Sequence, residues 1–141
     1  MLAALGKGMG KLTCTGEDGI IRTFDYTVTQ NSQGTEWTYR VRSNPPPESD
    51  QCFELTVEQI SSFEVRVVAM YNNGELAYIA KGIPDSILPL IASELNKLVC
   101  SSPSKGGGNT FRTAAATKVW DRLVSKGLAN YSAGEDVYRI S

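Results

Sequence analysis

The chain has 141 residues, with fourteen lysines and arginines against fifteen aspartates and glutamates, and it contains no histidine. Its 41% of hydrophobic and 21% of charged residues match the averages of folded domains, so the composition excludes a disordered chain and a fibre. The missing histidine excludes a histidine-dependent triad, a histidine-based zinc site and a histidine-driven nuclease. The length predicts one domain of ordinary size, over residues 1–141.

Charge is distributed unevenly along the chain. Residues 1–80 hold six basic and ten acidic side chains, whereas residues 81–141 hold eight basic and five acidic ones. A pI near 5.5 argues against a protein that coats nucleic acid by bulk electrostatics. The more basic second half is therefore the first place to look for a site that binds an anionic partner.

The three cysteines are Cys14, Cys52 and Cys100, an odd number at wide spacing and without a C-x-x-C motif. This pattern indicates neither a disulfide framework nor a metal site, and it predicts buried free thiols in a reducing compartment. No apolar run approaches the roughly 18–20 residues of a membrane span, and residues 1–12 make a poor signal peptide. We therefore expect a cytoplasmic protein that does not interact with membranes.

Alternation of apolar and polar residues predicts β-structure in the first half of the chain. Residues 20–30 and 37–42 both alternate and flank a glycine-containing connection, which predicts a β-hairpin. Three prolines within residues 44–50 indicate a loop. Residues 53–58 alternate like a strand, but Thr56 and Gln59 also have capping-box spacing, so residues 56–62 are either a strand or a short helix.

A second hairpin is predicted from residues 64–80. Residues 64–71 are rich in β-branched side chains, and Asn73-Gly74 is a strong hairpin-turn signal. Residues 75–80 are then expected to return as the partner strand.

Helical spacing replaces alternation after Gly82. Apolar residues predict a helix that begins near residues 84–87, since Pro89 is expected only in a first turn. Residues 97–101 either extend this helix or form a short buried strand. Residues 102–109 are predicted as a flexible loop, followed by a helix from Thr113 to about Lys126 that stops at Gly127. A closing hairpin is predicted from residues 128–131 and 137–140.

These elements predict an α+β fold, with a mixed, mostly antiparallel sheet and two main helices. Residues 1–62 would form an N-terminal antiparallel portion, and residues 63–141 a strand-helix-strand-helix-hairpin core. The core resembles that of the GCN5-related N-acetyltransferases (GNAT). Residues 81–88 (KGIPDSIL) stand where that family has roughly R-G-x-G-x-x-L, and residues 116–123 (ATKVWDRL) resemble its Ala-x-x-hydrophobic-Tyr-x-x-Leu helix.

The resemblance implies a protein that binds acetyl-CoA or a related CoA thioester, without a metal. Backbone N–H groups at a helix start would hold the pyrophosphate, and the candidate residues are Lys81, Gly82, Ile83, Asp85 and Ser86. Acetyl transfer would need a carboxylate base, for which Glu75 is the candidate with Glu64 as an alternative. It would also need a tyrosine acid, for which Tyr131 and Tyr138 are the candidates.

Two departures from the family pattern favour a divergent, non-catalytic member. Pro84 replaces the second glycine and lacks an N–H, and Trp120 replaces the tyrosine that usually serves as the acid. In a purely structural interpretation, Lys81-Gly82 is simply a turn between a strand and a helix.

Two nucleic-acid hypotheses compete with this interpretation, as does a non-enzymatic protein-interaction module. The helix at 113–126 and the following hairpin would suit a winged-helix DNA-binding regulator, with Lys118, Arg122 and Lys126 on one face. The aromatic side chains of the first hairpin would suit stacking on single-stranded nucleic acid, although the acidic surroundings favour a place in the core; these are Phe24, Tyr26, Trp37 and Tyr39.

Overall fold

Alternating runs in the first half of the chain form five consecutive antiparallel strands. A computed structural model describes residues 7–104 and 112–140. The strands are β1 (Lys7–Thr15), β2 (Ile21–Gln30), β3 (Glu36–Arg42), β4 (Phe53–Ser61) and β5 (Glu64–Tyr71). The second half adds α1 (Ile83–Leu95), β6 (Leu98–Cys100), α2 (Ala114–Ser125), β7 (Asn130–Ser132) and β8 (Val137–Ile140).

All eight strands belong to one sheet, in the order β1-β2-β3-β4-β5-β6-β8-β7. Among these described strands, β5 and β6 pair in parallel and the other neighbouring pairs are antiparallel. The predicted α+β class, with a mostly antiparallel sheet and two helices, is therefore confirmed. Strands from residues 1–62 and 63–141 pair directly through β4 and β5.

The predicted first hairpin is confirmed as β2 and β3, but the strand before it was not predicted. β1 pairs with β2 along its whole length, from Lys7 opposite Thr29 to Thr15 opposite Ile21. Glycines at positions 8 and 10 interrupt the alternation that would have revealed it. Gly10 is required by packing, because a Cβ there would come within 2.6 Å of the Tyr26 hydroxyl.

The ambiguous segment at residues 56–62 lies mostly in β4, so its strand interpretation is correct. Phe53, Leu55 and Val57 are buried on one face of this strand. The register with β5 shifts after Thr56, which pairs with Ala69 while Val57 pairs with Val67. Val68 is thus an extra residue on β5, and such a bulge bends a strand.

The predicted return strand at residues 75–80 is wrong. Asn73 has the positive φ of 57° that a hairpin turn needs, but the chain continues into a 3₁₀ turn at Leu76–Tyr78. β5 pairs with β4 along one edge, and on its other edge it pairs with β6 only over Glu64–Arg66. Burial of Tyr78, whose hydroxyl donates to the carbonyl of Gln51 at 2.8 Å, fixes the segment outside the sheet.

The helices were predicted correctly in number, with one error of detail. α1 begins at Ile83, so Pro89 lies inside the helix and not in its first turn. Residues 98–100 form β6, which settles the choice between a helix extension and a strand. The side chain of Thr113 caps α2 by accepting from the N–H of Ala116 at 3.1 Å. The predicted closing hairpin is confirmed as β7 and β8, whereas residues 105–109 of the predicted loop and residues 1–6 lie outside the described residues.

The apolar core lies on one face of the sheet. α1 contacts β1, β6, β8 and α2. The opposite face carries cross-strand ion pairs, namely Lys11–Asp25, Arg40–Glu54 and Arg66–Glu58. The hairpin aromatics Phe24, Tyr26, Trp37 and Tyr39 are all buried in the core and are not a stacking surface. The three cysteines are buried and free, as predicted.

Candidate functional site

The parallel strand β6 ends after only three residue pairs with β5. The two strands are paired from Glu64 opposite Leu98 to Arg66 opposite Cys100, while β5 continues to Tyr71. Ser102 spans the beginning of the gap, since its hydroxyl donates to the carbonyl of Val67 at 2.8 Å. The bulge at Val68 lies at this point of β5, where it bends the strand. The sheet is therefore open on this side of β5 beyond Val67, where β6 has ended.

A cavity of about 250 Å³, here called the inner cavity, occupies this opening. Its walls come from β5, from the segment after β6 and from the start of α2. They are largely apolar, with a few polar groups at Ser101, Ser102 and Arg112. The lining residues are Val67, Val68, Ala69, Met70, Tyr71, Ser101, Ser102, Arg112, Thr113, Ala116 and Trp120.

A larger, outer cavity of about 640 Å³ lies between the start of α1 and α2. It shares Met70, Thr113 and Ala116 with the inner cavity, so the two adjoin and form one groove. Its charged lining residues come from the β1–β2 turn and the two helices; they are Glu17, Asp85, Arg122 and Lys126. The groove thus runs from an apolar end at the gap in the sheet to a charged end at α1.

Gly82 determines how the chain enters α1. Its φ of 81° is left-handed, and a Cβ there would overlap the carbonyl oxygen of Thr15 and lie 2.9 Å from its carbon. β1 therefore packs directly against the backbone of this turn. Among the described residues, no side chain caps the N-terminus of α1, and Pro84 contributes no N–H.

Asp85, in the first turn of α1, joins the two helices. Its side chain is 9% exposed, and Arg122 of α2 donates to both carboxylate oxygens, through Nε and Nη2, at 2.8 Å each. Lys126 lies 3.6 Å from the same carboxylate. This contact raises the pKa of Arg122, chiefly through the hydrogen bonds to Asp85.

The structure brings only part of the predicted cofactor set to the groove. Gly82 and Asp85 line the outer cavity, as does Pro84. Lys81 and Ser86 are outside the lining of both cavities, and Ile83 is fully buried in the core. Ser86 instead lies beside the buried thiol of Cys14, whose pKa is raised by burial.

Glu75, the predicted base, lies outside both cavities, and its carboxylate is engaged in structural hydrogen bonds. Its carboxylate accepts from the hydroxyl of Ser49 at 2.5 Å and from the N–H of Ala77 at 2.9 Å, where it caps the 3₁₀ turn. These hydrogen bonds hold its pKa below the usual value. The alternative base, Glu64, is buried and accepts from Nε of Arg139 at 2.6 Å.

The two candidate acids, Tyr131 and Tyr138, also lie outside the lining of both cavities. Tyr138 stacks on Trp120 at 5.8 Å between ring centroids, and its hydroxyl donates to Asp121. Burial and this hydrogen bond raise its pKa to about 12. The hydroxyl of Tyr131 donates to Asp136 at 2.8 Å, which raises the pKa of Tyr131 as well.

The predicted DNA-binding face of α2 is already partly neutralised. Arg122 and Lys126 contact Asp85, and only Lys118 of the three lies away from it, exposed on the helix surface. DNA binding by these residues stays a prediction.

Arg112 is a site residue that no sequence pattern selected. Its side chain is 5% exposed and lines the inner cavity. It donates to the hydroxyl of Thr117 at 2.8 Å and to the backbone carbonyl and carboxylate of Asp136 at 3.0 and 2.9 Å, and it lies 4.8 Å above the ring of Tyr138. It therefore joins α2, β8 and the cavity wall, a role that depends on residues distant in sequence.

Comparison with known proteins found no matching family model, no matching curated protein and no matching solved structure. Within residues 7–104 and 112–140, no helix has the length and apolar character needed to cross a membrane. In the same residues, no three acidic, cysteine or histidine side chains are grouped so that they could hold a metal ion.

Proposed function

We propose that this protein binds a coenzyme A thioester along the groove. The observation that carries the proposal is the largely apolar cavity beside β5, at the point where its parallel partner β6 has ended. Concave apolar sites with a few polar groups are typical of small-molecule binding sites. A gap inside a sheet would place apolar walls on both sides of the narrow arm of the ligand that carries the thioester.

The order of elements around the gap supports the same proposal. β5, α1, β6, α2 and the β7–β8 hairpin follow one another in the strand-helix-strand-helix-hairpin order of the resemblance, with β6 parallel to β5. The resemblance also implies a strand that leads into Lys81-Gly82, and a 3₁₀ turn at Leu76–Tyr78 stands there instead. The N-terminal end of α1 faces the outer cavity, and this is where the resemblance would place the pyrophosphate.

In the proposed complex, the two ends of the groove take different parts of the ligand. The acyl-bearing end would lie in the inner cavity, against Val67, Met70 and Trp120. The phosphates would lie in the outer cavity, within reach of Arg122 and Lys126. Since Pro84 lacks an N–H, these cations would supply contacts that a second backbone donor supplies elsewhere in the family.

We propose binding without acetyl transfer. A general acid or base must come within hydrogen-bond distance of the reacting atoms. Glu75, Tyr131 and Tyr138 line neither cavity, and each already has a hydrogen-bond partner elsewhere. Trp120 does line the inner cavity, but an indole N–H is not a useful acid.

Calorimetric titration with acetyl-CoA tests the binding proposal. Ala116 lines both cavities, so Ala116→Trp should block the groove and weaken binding by at least about tenfold. Ala114→Trp is the matched control, because Ala114 lies on the same turn of α2, is exposed and lines neither cavity. Absence of heat and of a thermal shift with the wild-type protein, or equal loss in both variants, would contradict the proposal.

Release of free coenzyme A in the presence of amine acceptors tests the absence of transfer. We expect no more thiol release than in protein-free buffer. If the wild-type protein releases coenzyme A and this release is lost in Tyr138→Phe or Glu75→Gln, the predicted catalytic residues do act in acetyl transfer.

A further inference from the structure

The contact between Asp85 and the two cations of α2 lies inside the outer cavity, where an anionic ligand would need those cations. The carboxylate is fixed, because its side chain is 9% exposed and belongs to the first turn of α1. The cations are not fixed in the same way, since the side chains of Arg122 and Lys126 are 48% and 57% exposed. These two side chains can turn towards another anion, but the nearly buried carboxylate of Asp85 then loses its partners, and this cost reduces the net affinity for the ligand.

Charges at this end of the groove are balanced. Arg122 and Lys126 face Asp85, and Glu17 also lines the cavity and lies near Arg122. Two positive charges are thus offset by two negative ones in the free protein. A phosphate group gains little from a neutral surface, so it must draw the cations away from Asp85 in order to bind.

We propose that Asp85 is an autoinhibitory anion that occupies Arg122 and Lys126 until a phosphate-bearing ligand takes them. This inference rests on the proposed function, because it concerns the same groove. The carboxylate acts as an internal competitor, and it raises the apparent Kd of the groove for anions.

Titration with inorganic pyrophosphate and, separately, with coenzyme A tests this competition. Asp85→Asn keeps the shape of the side chain and removes its charge, so we expect both probes to bind about tenfold more tightly than to the wild type. Asp25→Asn is the matched control, because it makes the same change in net charge on the opposite face of the sheet. Arg122→Gln added to Asp85→Asn should abolish the gain.

An NMR measurement on the wild-type protein avoids any effect of the substitutions on folding. The Nε–Hε resonance of Arg122, assigned by its loss in Arg122→Lys, should shift on titration with pyrophosphate as the side chain leaves Asp85. No shift at saturation would overturn the inference, and so would equal or weaker pyrophosphate binding by Asp85→Asn.

The two proposals fail in different ways. Suppose that Asp85→Asn binds pyrophosphate more tightly than the wild type does, but binds coenzyme A no more tightly than it binds pyrophosphate. The autoinhibitory role then stands and the thioester proposal falls. If the wild type binds acetyl-CoA and Asp85→Asn shows no gain, the thioester proposal stands and the autoinhibitory role falls. If no probe binds to any variant, both are overturned.

Discussion

Substitution of Gly82 by alanine should destabilise the protein through two separable effects. The left-handed φ of 81° costs an alanine about 1–2 kcal/mol. The added Cβ also overlaps the carbonyl of Thr15, so β1 and the start of α1 must move apart. Overpacking of this kind costs about 1–3 kcal/mol. We therefore expect a loss of about 3 kcal/mol, which lowers the melting temperature by about 12 °C for a chain of this size.

Gly127→Ala isolates the conformational part of this effect. Gly127 has a similar φ of 77°, but a Cβ there would meet no atom within 4 Å. Urea unfolding of both variants should give a loss for Gly82→Ala about twice that for Gly127→Ala. Equal losses would refute the close packing of β1 on this turn. The same packing means that a bulky residue at Gly82 disturbs the fold, which makes Ala116 the better position for testing ligand binding.

Three further outcomes can be measured by denaturant unfolding. Arg112→Met removes the part-buried hydrogen bonds to Asp136 and should destabilise the protein by about 3 kcal/mol, since the Arg112 side chain is only 5% exposed; Arg112→Lys should recover only part of this loss. Glu94→Gln weakens the acceptor of the Tyr26 and Tyr39 hydroxyls, so a loss of about 2 kcal/mol is expected, and no loss would show that this contact does not hold α1 to the sheet. Burial and Asp121 raise the pKa of Tyr138 to about 12, from 10.0 in an unfolded chain. The folded state therefore retains that proton more tightly, and stability should be unchanged below pH 10 and decrease as the pH rises towards 12. Tyr138→Phe should reduce this loss of stability at alkaline pH. A pH profile of stability that is unaltered in the variant would contradict the prediction.

Local pattern was sufficient where an element depends mainly on its own residues. The β2–β3 hairpin, the two helices and the closing hairpin all follow from alternation, helical spacing and capping. β1 escaped prediction because Gly8 and Gly10 carry no side chains to continue the alternation, although Gly10 is what lets the strand approach Tyr26. The 75–80 segment was misassigned because Asn73-Gly74 favours a turn without determining which strand pairs with β5.

The candidate site was only partly predictable. The motif at residues 81–88 correctly placed Gly82 and Asp85 at the start of a helix that borders a groove. It carried no information about Arg122, which lies 37 residues later and pairs with Asp85. Nor did it reveal that Tyr138 packs behind Trp120 or that Arg112 joins α2 to β8.

The amino-acid sequence by itself determined the fold class and the elements set by short-range periodicity. It also determined which histidine-dependent reactions the protein cannot perform. The tertiary structure alone decided that β6 pairs with β5 over three residues and then ends, which leaves the groove beside the rest of β5. The physical reason is that strand pairing and ion pairing join residues far apart in the chain. Their geometry depends on the packing of the whole sheet, while periodicity and capping depend on neighbours within a few residues.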